Sequence, residues 1–219
     1  MTDPNESVHI HTKQPVLAVG KSLDQARAAV VMLHGRGSNA RDMLRLVQDI
    51  EHPDCAFVAP QAAGYSWYPH RFIEPIARNE PHLSSALRII NEQVERLVES
   101  GIPVSRIIIM GFSQGACLAL EFAARQAMRF GGIAGLSGGL IGQTLDFSRY
   151  APNYQGLPVF LGCSDVDDHI PKARVEESSK VFSERGAQVT TRIYPRMGHT
   201  INEDEIVFVR AMISAVANS

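Results

Sequence analysis

Ile107-Ile108-Ile109-Met110-Gly111-Phe112-Ser113-Gln114-Gly115 is the stretch whose reading decides the fold, together with the Ala116-Cys117-Leu118-Ala119-Leu120-Glu121-Phe122-Ala123-Ala124 that follows it. The isoleucine run is short, apolar and β-branched, the signature of a buried strand. The residues after Gly115 are good helix formers. A G-x-S-x-G set between a strand and a helix is a nucleophile elbow. Its turn is so tight that only residues without bulk fit two positions before and after the serine. The same geometry lifts the Ser113 hydroxyl above the sheet, at a helix N-terminus whose free N–H groups favour developing negative charge.

Outward from the elbow, strand and helix patterns alternate, which predicts a mostly parallel sheet covered on both faces. Strands are expected at Ala28–Leu33, Cys55–Ala59, Gly132–Leu136, Pro158–Gly162 and Val189–Tyr194. Helices are expected over 39–50, with a cap at Ser38 or Asn39, and over 172–185 and 203–217. Leu83, Leu87, Ile90, Val94 and Leu97 recur three or four apart and predict an amphipathic helix over 82–100, ended by Gly101 and Pro103. Segments 61–81 and 138–156 are long, aromatic and punctuated by Pro and Gly. Long loops of this kind are usually functional, and both follow strands that end on the rim of the elbow, so both are expected to wall its mouth.

The chain has 219 residues, 45% hydrophobic and 20% charged, which suits one α/β domain over 1–219 with a flexible segment at 1–14. A net charge of −2 with both signs mixed offers no basic stripe for nucleic acid. No apolar run reaches the ~18 residues of a membrane span, and the polar N-terminus lacks the apolar core of a signal peptide. Three cysteines, Cys55, Cys117 and Cys163, are too few for a disulfide framework and fit a reducing compartment. The expectation is a cytoplasmic protein acting on a small molecule, with an apolar loop near the mouth as a candidate homodimer contact.

Ser113 needs a base, because a serine hydroxyl is a poor nucleophile until an imidazole removes its proton. In strand–turn–helix serine sites the partners follow in the order serine, acid, histidine. Only His169 and His199 follow Ser113. His199 lies directly after the last strand and before the last helix, on a loop that can reach the serine, and is the expected base. His169 is expected at the rim. The acid should follow the Val159–Gly162 strand, where Asp165, Asp167 and Asp168 all qualify and spacing does not choose among them. Asp168 is the expected cap of the helix after it.

Asp165, Asp167, His169 and Glu176 also fall at EF-hand spacing, but Ile170 and Pro171 stand where that loop needs its glycine turn, so no metal is expected. The turn His34-Gly35-Arg36-Gly37 follows a strand, and in an acyl-transfer site it supplies one oxyanion N–H, with Gln114 supplying the other. Gly35-Arg36-Gly37-Ser38-Asn39-Ala40 also matches a dinucleotide fingerprint. The next strand ends Val58-Ala59-Pro60-Gln61 with no carboxylate for a ribose, so no cofactor is expected. Trp67 and Leu140, in the two long loops, and His169 are the candidate pocket residues. Trp67 reads equally well as a packing plug, and Cys117 as a buried residue without chemistry.

These blocks taken together resemble the carboxylesterase and acyl-protein thioesterase family of α/β-hydrolases, also called the phospholipase/carboxylesterase family. The similarity runs from about residue 28. It rests on Leu33-His34-Gly35-Arg36-Gly37, Ala59-Pro60, Gly111–Gly115, Leu136-Ser137-Gly138, Asp165-Val166-Asp167 running to Ile170-Pro171, and Gly198-His199. The resemblance implies an α/β-hydrolase fold without a large cap domain. It implies a triad of Ser113, His199 and Asp167, because the family's acid stands four residues before the proline of a D-x-x-[VI]-P segment. It also implies oxyanion donors at the Arg36 and Gln114 N–H groups, and hydrolysis of carboxylic esters without a cofactor. The polar loop 61–81 points to short acyl groups or small metabolite esters. The alternatives are thioesterase or lysophospholipase-like activity on longer chains, and a non-catalytic binding module.

Overall fold

Alternate side chains of the central strands face opposite sides of the sheet, and both sets are apolar. β2 (Ala28–Leu33) sends Ala29, Val31 and Leu33 to one face and Ala28, Val30 and Met32 to the other. β4 (Ile107–Phe112) divides in the same way, Ile107 and Ile109 against Ile108 and Met110. Strands buried on both faces belong in the middle of a parallel sheet with helices above and below. The computed structural model, which describes residues 9–219, has this architecture.

The other strands are β1 (Val16–Gly20), β3 (Cys55–Pro60), β5 (Gly132–Leu136), β6 (Pro158–Ser164) and β7 (Gln188–Tyr194). They assemble in the order β1-β3-β2-β4-β5-β6-β7, with only β1 antiparallel. Helices α4 (His82–Glu99), α5 (Gln114–Arg125) and α6 (Lys172–Ser183) cover one face. Helices α1 (Ala40–Leu44), α2 (Val47–Ile50) and α7 (Glu203–Ala217) cover the other. No large cap domain stands over the sheet among the described residues.

Four details depart from the sequence expectations. The helix expected over 39–50 is two pieces, because Arg45 and Leu46 donate to carbonyls three residues back and tighten the chain between α1 and α2. β1 was not expected. It is an edge strand whose second half is exposed, so it lacks the apolar pattern of the central strands. A short helix, α3 (Ile76–Asn79), lies inside the 61–81 segment. Asp168 does not cap α6: Pro171 holds the N-cap position, with no side-chain bond there.

Residues 1–8 of the expected flexible segment lie outside the described residues. The rest of that segment is tied down. His11 is 1% exposed, and its ring joins two backbone groups of the 61–81 segment. Burying an imidazole requires that both nitrogens find partners. Nδ1 accepts from the Ala63 N–H at 3.0 Å, which leaves Nε2–H to donate to the Trp67 carbonyl at 3.0 Å.

α7 begins with a capping box in which Asn202 and Glu205 exchange side-chain-to-backbone bonds. Glu205 is fully buried against β6, and a Cβ at Gly162 would lie 2.0 Å from its Oε1. Burial raises its pKa from 4.5 to about 7, against the Asn202 N–H bond, which lowers it. Protonation of Glu205 therefore stabilises the folded protein. That contribution is fully present below the unfolded pKa and is lost as pH rises through about 7. Glu205→Gln keeps the cap acceptor and removes the titration. The stability of the wild type relative to this variant should fall by on the order of 3 kcal/mol between pH 4.5 and 8, as read by denaturant unfolding. A difference independent of pH would refute the assignment.

Candidate active site

At the end of β4 the chain reverses through Ser113, whose φ of 55° and ψ of −117° are strained for a residue with a side chain. The glycines on either side make the turn possible. A Cβ at Gly111 would lie 2.3 Å from Gly115 backbone atoms, and one at Gly115 would lie 2.1 Å from the Leu33 carbonyl oxygen. The strained residue is held by the Ser113 N–H donating to Leu136 O at 2.9 Å and by the Cys117 N–H donating to Ser113 O at 3.0 Å. The start of α5 is thereby pressed against the end of β2, where the 34–37 turn begins.

Loops after β6 and β7 bring the remaining groups. His199 Nε2 lies 2.8 Å from Ser113 Oγ, and its Nδ1 lies 2.7 Å from Asp167 Oδ2. With Nδ1–H donating to the carboxylate, Nε2 is the free acceptor facing the serine hydroxyl. Among the three aspartates, Asp167 alone reaches His199. Its other oxygen accepts from the His169 and Ile170 N–H groups at 2.8 and 3.0 Å. Burial acts to raise the Asp167 pKa, but the bonds from His199, His169 and Ile170 outweigh it and hold the carboxyl below its usual range. Asp165 has a different partner: its Oδ1 accepts the Arg196 N–H at 2.7 Å and pins the loop that carries His199. The aspartates counted above as possible cation ligands are thus both occupied by protein donors. Phe112 and His169 pack against the His199 ring with centroids 4.9 and 4.8 Å away, which fixes its plane.

The 34–37 turn faces the elbow from β2. Neither the Arg36 N–H nor the Gln114 N–H bonds to another group among the described residues. These are the two N–H groups expected to take an oxyanion. The Gln114 side chain has a second task, for which the sequence held no signal beyond its place after Ser113. Its Oε1 accepts the Trp67 N–H at 2.9 Å and its Nε2 donates to Tyr68 O at 2.8 Å. Arg36 reaches across to the same loop, donating to Pro69 O at 2.8 Å and His70 O at 2.6 Å. His34 Nε2 accepts the Ala62 N–H at 3.1 Å while Nδ1 bonds to Gly35 O at 2.8 Å. Burial lowers the pKa of both His34 and His11, so these two rings are neutral joints holding the loop.

The elbow opens into a cleft of about 670 Å³. The 61–81 loop supplies one wall, from Tyr68 to Phe72 together with Glu74, and His169, Ile170 and His199 supply another. His169, expected at the rim, lines the cleft. Two other expectations are corrected. Trp67 is 0% exposed, does not line the cleft, and donates its indole N–H to His34 O at 2.8 Å, so it is the plug that seats the loop. Leu140 is also 0% exposed and absent from the lining. Its segment, 138–156, contributes nothing to the mouth. It is drawn against α5 and α6 instead, by the Ile141 N–H bond to buried Glu121 at 3.0 Å and by Arg174 donating to Leu140 O and Gly142 O at 3.0 and 2.6 Å. Cys117 is buried, and burial pushes its thiol up to about 12, which leaves it unreactive.

Comparison with known proteins agrees with this fold. The Phospholipase/Carboxylesterase family matches the chain over residues 14–217. A phospholipase/carboxylesterase from Dyadobacter fermentans superposes with a TM-score of 0.90 at 40% identity, covering 95% of this chain and 99% of that one. Acyl-protein thioesterase 1 of Saccharomyces cerevisiae is 28% identical over 93% of this chain and 99% of its own length. Acyl-protein thioesterase 1 of Eremothecium gossypii is 30% identical over 68% of this chain and 64% of its own. The chain belongs to the phospholipase/carboxylesterase family. It is a carboxylesterase-type serine hydrolase with an α/β-hydrolase fold.

Gln114→Ala keeps the backbone N–H at the elbow but removes two bonds to the loop from a buried side chain. It should cost about 1–3 kcal/mol in denaturant unfolding, and an unchanged midpoint would show that the loop is held without it.

Proposed function

We propose that the protein hydrolyses carboxylic esters of short acyl chains or small metabolites through an acyl-enzyme on Ser113. The observation that carries this reading is the unbroken hydrogen-bond chain from Ser113 Oγ through His199 to Asp167, at 2.8 and 2.7 Å. In this reading Ser113 Oγ attacks the ester carbonyl carbon while its proton passes to His199 Nε2. Asp167, kept ionised by its three donors, stabilises the imidazolium and holds the ring. The oxyanion takes the Arg36 and Gln114 N–H groups, each such donor being worth roughly 10²–10³ in rate. Collapse breaks the bond to the alcohol oxygen, which leaves with the proton from His199. Water then attacks the acyl-enzyme by the same steps and frees the acid. No step calls for a cofactor.

The short-chain preference is supported by the lining of the cleft, where Arg36, His70, Arg71, Glu74 and His169 interrupt the apolar surface that a long acyl chain requires. Relatives named acyl-protein thioesterase favour a second reading, action on longer chains as a thioesterase or lysophospholipase-like enzyme. A p-nitrophenyl ester series from acetate to palmitate separates the two. Activity should peak at short chains and vanish in Ser113→Ala, whereas a peak at long chains selects the second reading. Asp167→Asn should lower kcat by about 10³–10⁴, with Asp165→Asn and Asp168→Asn close to wild type. A dead Asp165→Asn enzyme beside an active Asp167→Asn enzyme would move the acid. The rate should also fall in acid as the imidazole that accepts the Ser113 proton becomes protonated, and a flat profile would count against His199 as base.

A further inference from the structure

The wall of the cleft across from His199 carries positive charge that no carboxylate neutralises among the described residues. Strand order sets the two sides: β3 lies beyond β2 on one flank of β4, while β6 and β7 lie beyond β5 on the other. The loop after β3 therefore faces the loops that bring Asp167 and His199. A leaving alcohol must sit beside His199 Nε2 to receive its proton, so the acyl group extends toward the β3 side. Arg36, Arg71 and Glu74 are the arginine and carboxylate side chains of the lining there. The Arg36 guanidinium spends its donors on two neutral carbonyls, those of Pro69 and His70, which fix it without cancelling its charge. Glu74 is taken by Arg78 at 2.9 Å. The exposed Arg71 side chain makes no ion pair or hydrogen bond among the described residues. The Asp167 side chain, across the cleft, is 0% exposed behind His199. The whole chain carries −2, so this excess of cation belongs to the cleft and not to the surface at large.

We propose that the acyl group of the substrate ends in an anion, a carboxylate or a phosphate, held by the Arg71 guanidinium. This rests on the esterase reading above. A guanidinium presents paired donors that match either anion. The fixed charge of Arg36 and the partly enclosed cleft strengthen the local potential. Phe72 lines the same cleft and supplies a small apolar surface for the methylenes of such a chain.

The test compares kcat/KM for mono-p-nitrophenyl adipate, p-nitrophenyl hexanoate and a phosphonate-terminated ester of similar length. The wild type should prefer an anionic ester to the neutral one by about tenfold or more, through KM, with the preference shrinking as salt is raised. Whichever anionic ester leads names the anion. Arg71→Lys should keep part of the preference, Arg71→Ala should bring the ratio near one, and Arg71→Glu should reverse it. Equal kcat/KM for charged and neutral esters, or a preference that survives Arg71→Ala, overturns the proposal. Calorimetric binding of monomethyl adipate and methyl hexanoate to Ser113→Ala, with and without Arg71→Ala, reads the same site without turnover. If Ser113→Ala hydrolyses esters as fast as the wild type, the serine mechanism fails, while the binding comparison still decides the role of Arg71.

Discussion

The close approach of α5 to the end of β2 is the constraint on which the site depends. With the space for a Cβ at Gly115 already taken by the Leu33 carbonyl, the helix N-terminus lies against the strand that leads into the 34–37 turn. That contact puts the Gln114 N–H and the Arg36 N–H near one another, although the two residues are far apart in sequence. It also holds Ser113 in a conformation that an isolated chain would avoid, with the hydroxyl presented outward. Backbone strain of about 1–3 kcal/mol persists only where the surroundings over-determine it. Here they do so through β4, β5 and the first turn of α5.

The cleft is shaped by a loop held through its backbone. His11, His34, Arg36 and Gln114 each bond main-chain groups between Ala62 and His70, and Trp67 fills the space beneath. A loop fastened in this way leaves the exposed Pro69, His70 and Arg71 side chains toward solvent and ligand, while Tyr68 and Phe72 stay packed in the core and still border the cavity. The neutral state of the two buried imidazoles is part of the arrangement. Each must accept one N–H and donate the other, which a doubly protonated ring cannot do.

Charge is distributed around the elbow with the same economy. Asp167 is ionised, buried and triply bonded, so its field acts on His199 and reaches the cleft only weakly. Arg36 is fixed by neutral carbonyls, which do not cancel its charge at the cleft. The result is a site in which negative charge sits behind the base while Arg36 and Arg71 line the cleft.

Local patterns in the sequence determined the strand–elbow–helix unit, the parallel core and the order of its elements. The β-branched run, the bulk-free turn and the helical periodicity are each set by neighbouring residues. Chain order narrowed the base to His169 or His199, and the place of His199 between the last strand and the last helix put it forward. Spacing could not separate Asp167 from Asp165 and Asp168, because the choice turns on which carboxylate points toward an imidazole 32 residues later. The edge strand β1 was missed because a half-exposed strand carries little apolar signal. Trp67 as plug and not wall, Leu140 and its segment drawn away from the mouth, and Arg71 left without a counter-charge were decided only by the tertiary structure. The Gln114 and His11 bonds that seat the loop span 47 and 56 residues. Contacts over such distances depend on how packed layers bring loops together, which no local pattern of residues encodes.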